Sequence, residues 1–255
     1  MANRLKARLA AGETVGAVWL QFGSPEVAEA VVLAGWDAVV IDCEHGAAGL
    51  EAGLALLRAV EAAGAEAVVR VPDAQEATLK RALDRGARSL MVPMVNSAEI
   101  AAQTAAFCRY PPLGRRGYAA SIVRASGWGT NADYSAQAAD ELLLMVQIEH
   151  ADAVRDFDAI MGTPGVDLGF VGPYDLSGSL GVMAQRESPQ MRAALAEIEG
   201  KARARGAMIG TITGGGRDWA ALKALGYRFV VGPADCALLV EAARAAASAR
   251  DEGLR

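Results

Sequence analysis

Eight times between Val15 and Gly232 a short strand-like run alternates with a helix-patterned stretch, and this repetition constrains the fold more than any single motif. The runs are Val15 to Leu20, Ala38 to Asp42, Ala67 to Val71, Ser89 to Met94, Leu142 to Glu149, Val166 to Val171, Ala207 to Thr213 and Arg228 to Gly232. Most are dominated by Val, Ile, Leu or Met without strict polar alternation, as expected of strands covered by helices on both faces. Between them, apolar residues fall at one-face helical spacing, as in Leu50, Leu54 and Leu57 or Met191, Leu195 and Ile198. The punctuation agrees. Ser24-Pro25 reads as an N-cap followed by proline at the first helical position, and Gly35, Gly64, Gly86 and Gly226 each follow a helical stretch as C-terminal stops do.

Eight such units in 255 residues match the roughly 250 residues typical of a (β/α)8 barrel, so the expectation is one TIM-barrel domain over residues 1–255. The alternative is a doubly wound open sheet, but the chain has no Gly-x-Gly-x-x-Gly turn after a strand, and even spacing favours closure. The longest interruption runs from about Arg109 to Asp140 and contains Gly114, Gly117, Gly127 and Gly129. Loops of that length in compact domains are usually functional or intersubunit.

Composition removes several classes of function. With 53% hydrophobic and 22% charged residues the chain is not disordered, and no apolar run approaches the roughly 20 residues that span a bilayer. A soluble protein without a membrane partner is expected. The segment Met1 to Ala10 is too charged for a signal sequence and reads as a first amphipathic helix. Cys43, Cys108 and Cys236 lie far apart without a Cys-x-x-Cys pair, which fits a reducing cytoplasm and neither a disulfide framework nor a zinc site. A formal charge of -5 argues against nucleic acid. The one basic cluster, Arg109 to Arg116, is broken by Pro111-Pro112 and reads as a loop near an anionic substrate or a subunit contact.

A barrel builds its active site at the C-terminal ends of its strands. Strand two ends in Asp42-Cys43-Glu44-His45, strand three reaches Arg70, strand five ends in Gln147-Ile148-Glu149, and Asp175 follows strand six. Alternation puts Asp42 and Glu44 on one face, and likewise Gln147 and Glu149. Any one of these residues alone reads as a helix cap or an ion-pair partner; polar groups at four strand ends together are hard to explain that way. A strand-end carboxylate without a partner costs roughly several kcal/mol to desolvate, which makes Glu149 and Asp175 suspects for metal binding.

Their hard oxygens suit Mg2+ or Mn2+, whereas zinc prefers histidine or cysteine. Two protein ligands leave coordination positions open for a chelating 2-oxo acid, whose keto oxygen a cation would polarise toward an enolate. Arg70 stands ready as a second positive charge and His45 as a proton carrier. The other histidine, His150, alternates away from the mouth and reads as supporting or structural. Lys6, Lys80, Lys201 and Lys223 are the only lysines and none ends a strand, which removes the Schiff-base route. Gly214-Gly215-Gly216 reads more readily as a simple turn than as a phosphate-binding loop, and no nucleotide cofactor is expected.

Read together, the motifs resemble the HpcH/HpaI family of metal-dependent pyruvate aldolases along nearly the whole chain. They are Trp19 with Gly23-Ser24-Pro25, Ala34-Gly35-Trp36-Asp37, Asp42-x-Glu44-His45-Gly46, Arg70, Leu83-Asp84-x-Gly86, Val92-Pro93-Met94-Val95, Arg109-Tyr110-Pro111-Pro112 with Gly114-x-Arg116-Gly117, Gln147-x-Glu149, and Gly172-Pro173-x-Asp175-Leu176-Ser177. The resemblance implies a barrel of the phosphoenolpyruvate/pyruvate type that cleaves 4-hydroxy-2-oxo acids into pyruvate, or a relative such as hydroxypyruvate, and an aldehyde. It implies a divalent cation (Mg2+, Mn2+ or Co2+) on Glu149 and Asp175. His45 would be the base, with Asp42 beside it in the signature, and Arg70 the enolate stabiliser. Substrate contacts would come from Trp19, Gln147 and the Gly172, Pro173 and Tyr174 turn. Asp84, by spacing only a solvent-facing helix residue, becomes a catalytic partner reaching His45 from a neighbouring subunit.

Similar proteins are hexamers built as trimers of dimers that exchange C-terminal helices, a part the stretch Ala234 to Ala249 is suited to play. Tyr174 stands where a relative can have a small residue, and with Tyr118 and Arg124 it bears on aldehyde choice. Three other activities compete with this expectation: decarboxylation of oxaloacetate or another pyruvate-enolate reaction, cleavage of an acyl-CoA thioester as in related barrels, and a barrel that binds small acids without turning them over.

Overall fold

The computed structural model describes residues 2–254. Its strands are β1 (Val15–Leu20), β2 (Ala38–Asp42), β3 (Glu66–Arg70), β4 (Ser89–Val92), β5 (Leu143–Ile148), β6 (Leu168–Val171), β7 (Met208–Ile212) and β8 (Phe229–Ala234). The helices up to β5 are α1 (Arg4–Ala10), α2 (Pro25–Leu33), α3 (Leu50–Ala63), α4 (Glu76–Asp84), α5 (Ala98–Cys108) and α6 (Tyr134–Glu141). After it come α7 (Ala151–Arg155), α8 (Phe157–Met161), α9 (Pro173–Ser179), α10 (Pro189–Arg205), α11 (Trp219–Ala224) and α12 (Asp235–Gly253).

The eight strands pair in parallel and in chain order, and Val15 of β1 lies opposite Phe229 of β8 to close the barrel. Two apolar layers hold it. Inside, Trp19, Val40, Val68, Met91, Met145, Phe170 and Phe229 pack against one another, and Leu5 and Leu9 of α1 join them as a plug at the N-terminal end. Outside, residues such as Ile41, Val69, Leu144 and Val146 pack against Leu56, Leu79, Phe157 and Ile198 of the helices. Each strand is therefore buried on both faces, which is why its sequence lacks a polar stripe. Ser24 caps α2 by accepting from the Val27 N–H, and the glycines at 35, 64, 86 and 226 all have left-handed backbone, as their positions after helices predict.

Strand ends shift by one to a few residues from their sequence expectations, for identifiable reasons. β4 stops at Val92, not Met94, because Pro93 has no N–H for the ladder. β6 starts at Leu168, not Val166, because the Asp167 carboxylate accepts the Leu144 N–H at 2.8 Å in place of a ladder carbonyl.

The excursion from Arg109, expected to be loop throughout, contains a 3-10 turn at Arg124–Ser126 and the helix α6. No residue of α6 is buried, so it carries no apolar period that a sequence could reveal. α12 leaves the barrel wall. Asp235 anchors it by accepting the Gln21 and Phe22 N–H groups at 2.9 and 3.1 Å, while Leu238, Leu239 and Val240 are exposed. Among the described residues no helix is long and apolar enough to cross a membrane.

Candidate active site

At the C-terminal end of β2, Asp42 is wholly buried and saturated with donors. Its Oδ1 and Oδ2 accept Arg70 Nε and Nη2 at 2.9 and 2.6 Å in a bidentate pair. Gln21 Nε2 adds a bond at 3.0 Å, and the N–H groups of Glu44 and His45 close on Oδ1 at 3.2 and 3.1 Å. Gly46 is required here, since a side chain would strike the Asp42 carbonyl oxygen. Burial alone would push the Asp42 carboxyl up, but the Arg70 guanidinium and these donors outweigh it and hold the group below the usual carboxylate range. With its oxygens filled by donors and no exposure, Asp42 is placed to hold Arg70 and the turn bearing His45.

Arg70 is almost as buried. Its guanidinium lies 4.4 Å over the Trp19 ring, which in turn stands edge-on to Phe170. Trp19 thus supports Arg70 from inside the barrel. The remaining nitrogen, Nη1, lies 3.2 Å from Glu44 Oε2, an oxygen that is buried without a hydrogen bond. His45 is different: its side chain is 63% exposed, with Nε2 3.9 Å from Glu44 Oε1.

Across the mouth, Glu149 follows β5 and is 2% exposed. The Met94 N–H donates to its Oε1 at 2.7 Å, and Gln147 Nε2 donates to its Oε2. Gly172 presses against the same carboxylate, so any side chain there would collide with Oε2. Burial chiefly, with the neighbouring charges of Asp175 and Glu44, pushes the Glu149 carboxyl up to about 7, against the opposing pull of Met94 and Gln147. Glu44 is raised as well, by burial first and then by Asp42 and Asp175, while Arg70 and His45 draw it down. Asp175 lies exposed in the first turn of α9, whose opening is set by Gly172 and Pro173, with Tyr174 exposed beside it.

The donor set fits a hard divalent cation. Glu149 and Glu44 each have their charge disfavoured by burial and by neighbouring carboxylates, Gln147 Oε1 is a buried acceptor without a hydrogen bond, and Glu44 Oε2 has only the Arg70 ion pair. A cation with its waters would satisfy both conditions. Glu149 and Asp175 are the candidate pair at this mouth; among the described residues there is no compact group of three or more acidic, histidine or cysteine side chains. Glu44 was visible in the sequence as the residue alternating with Asp42 and as part of the Asp42-x-Glu44-His45-Gly46 signature; its place between Arg70, His45 and Asp175 is a tertiary fact.

The structure does not bring every predicted residue to this mouth. Asp84 ends α4, and because helices return antiparallel to the strands, that end lies near the start of β4, opposite the mouth. There it accepts Arg116 Nη2 at 2.6 Å, so within one chain it does not meet His45. The basic cluster is likewise spent on internal partners: Arg109 on the Pro164 carbonyl, Arg115 on Glu76, Arg116 on Asp84. Arg124 lies with Glu61 and the Arg85 carbonyl, away from the mouth of its own chain. His150 caps α7, its Nδ1 accepting the Asp152 N–H. Gly214 to Gly216 close a tight turn in which Gly214 and Arg217 exchange backbone bonds, so the turn explanation stands.

The model of the family described as HpcH/HpaI aldolase/citrate lyase matches residues 16–242. A hydroxypyruvate/pyruvate aldolase of Agrobacterium fabrum is 40% identical over 211 residues, covering 83% of this chain and 79% of that protein. A 2-keto-3-deoxy-L-rhamnonate aldolase of Klebsiella pneumoniae is 36% identical, covering 82% of this chain and 79% of that protein. The crystal structure of an HpcH/HpaI aldolase/citrate lyase family protein from Burkholderia cenocepacia superimposes with a TM-score of 0.92 at 37% identity, covering 98% of this chain and all of the other.

Proposed function

The chain belongs to the HpcH/HpaI aldolase/citrate lyase family and is a carbon–carbon lyase, and from that premise we propose a divalent-metal-dependent aldolase. It reversibly cleaves 4-hydroxy-2-oxo acids into pyruvate, or hydroxypyruvate, and an aldehyde. The observation that carries this reading is the gathering of Glu149, Asp175 and Glu44 at one mouth with an arginine locked by Asp42. The names of the relatives support pyruvate or hydroxypyruvate as the 2-oxo acid.

Glu149 and Asp175 hold the cation, which when bound supplies Lewis-acid polarisation of the keto oxygen. Arg70, kept rigid by Asp42 and Trp19, presents its guanidinium where that oxygen gains negative charge, with no reorganisation needed at the moment of reaction. The N–H groups at the start of α9, beyond Pro173, orient the substrate carboxylate, and Gln147, held on Glu149 through its Nε2, stands beside the bound acid. In the cleavage direction His45 Nε2 takes the proton of the C4 hydroxyl, directly or through water, as the C3–C4 bond breaks to aldehyde and enolate. The proton taken by His45 returns, directly or through water, to C3 of the enolate and gives the 2-oxo acid. Tyr174 shapes the mouth on the aldehyde side.

The working form is a hexamer, a trimer of dimers, in the cytoplasm. Its support is the exposed apolar stretch Leu238 to Val240 on α12, suited to exchange between subunits, and three free cysteines. In such an assembly Asp84, remote from its own His45, reaches the neighbour's.

The test is pyruvate release from 4-hydroxy-2-oxo acids. A chelator abolishes it, added Mn2+ restores it, and Glu149→Ala loses at least about a hundredfold in kcat, the scale of removing a metal ligand's contribution. Unchanged activity in excess chelator, or full activity of Glu149→Ala, overturns the metal assignment.

A further inference from the structure

Three non-glycine residues among those described have left-handed backbone: Met94 (φ 55°), Trp128 (φ 61°) and Ala184 (φ 62°). Such a conformation is unfavourable for any L side chain and a genuine outlier for a β-branched one. Trp128 lies in the excursion and Ala184 in the loop after α9. Met94 alone stands at a strand end beside a candidate metal ligand.

What the conformation does there is visible. β4 ends at Val92, Pro93 cannot continue the ladder, and at the left-handed turn the Met94 N–H donates to Glu149 Oε1, 2.7 Å away, while the chain beyond it turns off the strand. The chain then resumes with Val95, which is fully buried. The Met94 side chain does not explain the strain, because it is 47% exposed. On the other carboxylate oxygen, Gln147 donates and Gly172 sets a backbone wall. A carboxylate has about four lone-pair sites. Met94 and Gln147 occupy one on each oxygen, fix the plane of the group, and leave the remaining sites without a protein donor.

We propose that Met94 is a positioning residue for the reaction, its left-handed backbone serving to orient the Glu149 carboxylate for the cation. The inference rests on Glu149 being a ligand, as proposed above. It is backbone chemistry, so the identity of the side chain matters only through its tolerance of the left-handed region. Glycine enters that region freely and isoleucine resists it.

The test compares Met94→Gly with Met94→Ile in three measurements: Mn2+ titration without substrate, kcat and KM for pyruvate release, and the melting temperature of the metal-free protein. Met94→Gly keeps Mn2+ affinity and kcat within about twofold, while Met94→Ile loses about tenfold in each, the scale of one hydrogen bond to a charged group. KM changes less than kcat. Equal Mn2+ affinity in Met94→Ile and wild type overturns the proposal, and so does a Met94→Gly variant as impaired as Met94→Ile, which would assign the effect to the side chain.

Should Met94→Ile fail to fold, amide hydrogen exchange decides in otherwise intact protein. The Met94 N–H exchanges faster in Glu149→Ala than in wild type; an unchanged rate overturns the proposal. Undiminished Mn2+ binding by Glu149→Ala is the separate outcome that removes the ligand assignment itself.

Discussion

Among the described residues two arginines are buried, and both lie in the same kind of cradle. Arg70 lies 4.4 Å over Trp19 and grips Asp42, and Arg116 lies 4.5 Å over Tyr110 and grips Asp84; the closest contact is 2.6 Å in both pairs. Their surroundings differ. Asp42 is on a strand, fully buried and filled by donors, whereas the Asp84 side chain is 21% exposed at the end of a helix. Arg70 turns its third nitrogen toward Glu44 at the mouth, while Arg116 shares Nη2 with the Tyr134 hydroxyl and keeps a buried Nε without a partner. Rigid strands allow the first pair to hold a charge ready for chemistry. The second pins an irregular excursion to α4, and its carboxylate is the one proposed to serve a neighbouring subunit.

Substitutions at the two sites separate these roles. Arg70→Met lowers kcat for pyruvate release by about 10²–10³-fold, the usual cost of removing a preorganised donor at a developing negative charge. A loss below tenfold would place Arg70 with Arg116 as a structural residue. Arg116→Met, read by urea unfolding, costs about 2–4 kcal/mol because Asp84 loses its partner, discounted from the fully buried case for its partial exposure. Mn2+ affinity stays at the wild-type value in that variant, and a shift of more than threefold would show that the two regions are coupled. The smallest effect belongs to the ring beneath Arg70: Trp19→Phe keeps an aromatic face but weakens the cation–π contact, lowering kcat about two- to fivefold, equivalent to about 0.5–1 kcal/mol. Steady-state kinetics at saturating Mn2+ measures it.

Much of this was legible in the chain. Apolar runs such as Ala38 to Asp42 and Leu142 to Glu149 must be covered on both faces, and eight of them in alternation with helices lead to closure. Asp42, Arg70, Gln147 and Glu149 were legible as candidates because a strand end exposes its last side chains to one mouth, a consequence of topology alone. α6 was not, since a helix with no buried face leaves no period. Nor was the Arg116–Asp84 pair, which joins residues of different elements through a proline-broken excursion. The special backbone of Met94 was hidden because nothing in a methionine signals a left-handed turn as a glycine would.

The barrel, the type of residue at each strand end and the absence of a lysine there follow from local pattern and side-chain chemistry, and so could be read before any contact was known. Only the tertiary structure decided which groups engage one another: Asp42 behind Arg70, Met94 and Gln147 on Glu149, Glu44 between two charges, and Asp84 on the far side from its own His45. Distances between side chains far apart in sequence depend on how whole layers pack, and no local rule carries that information.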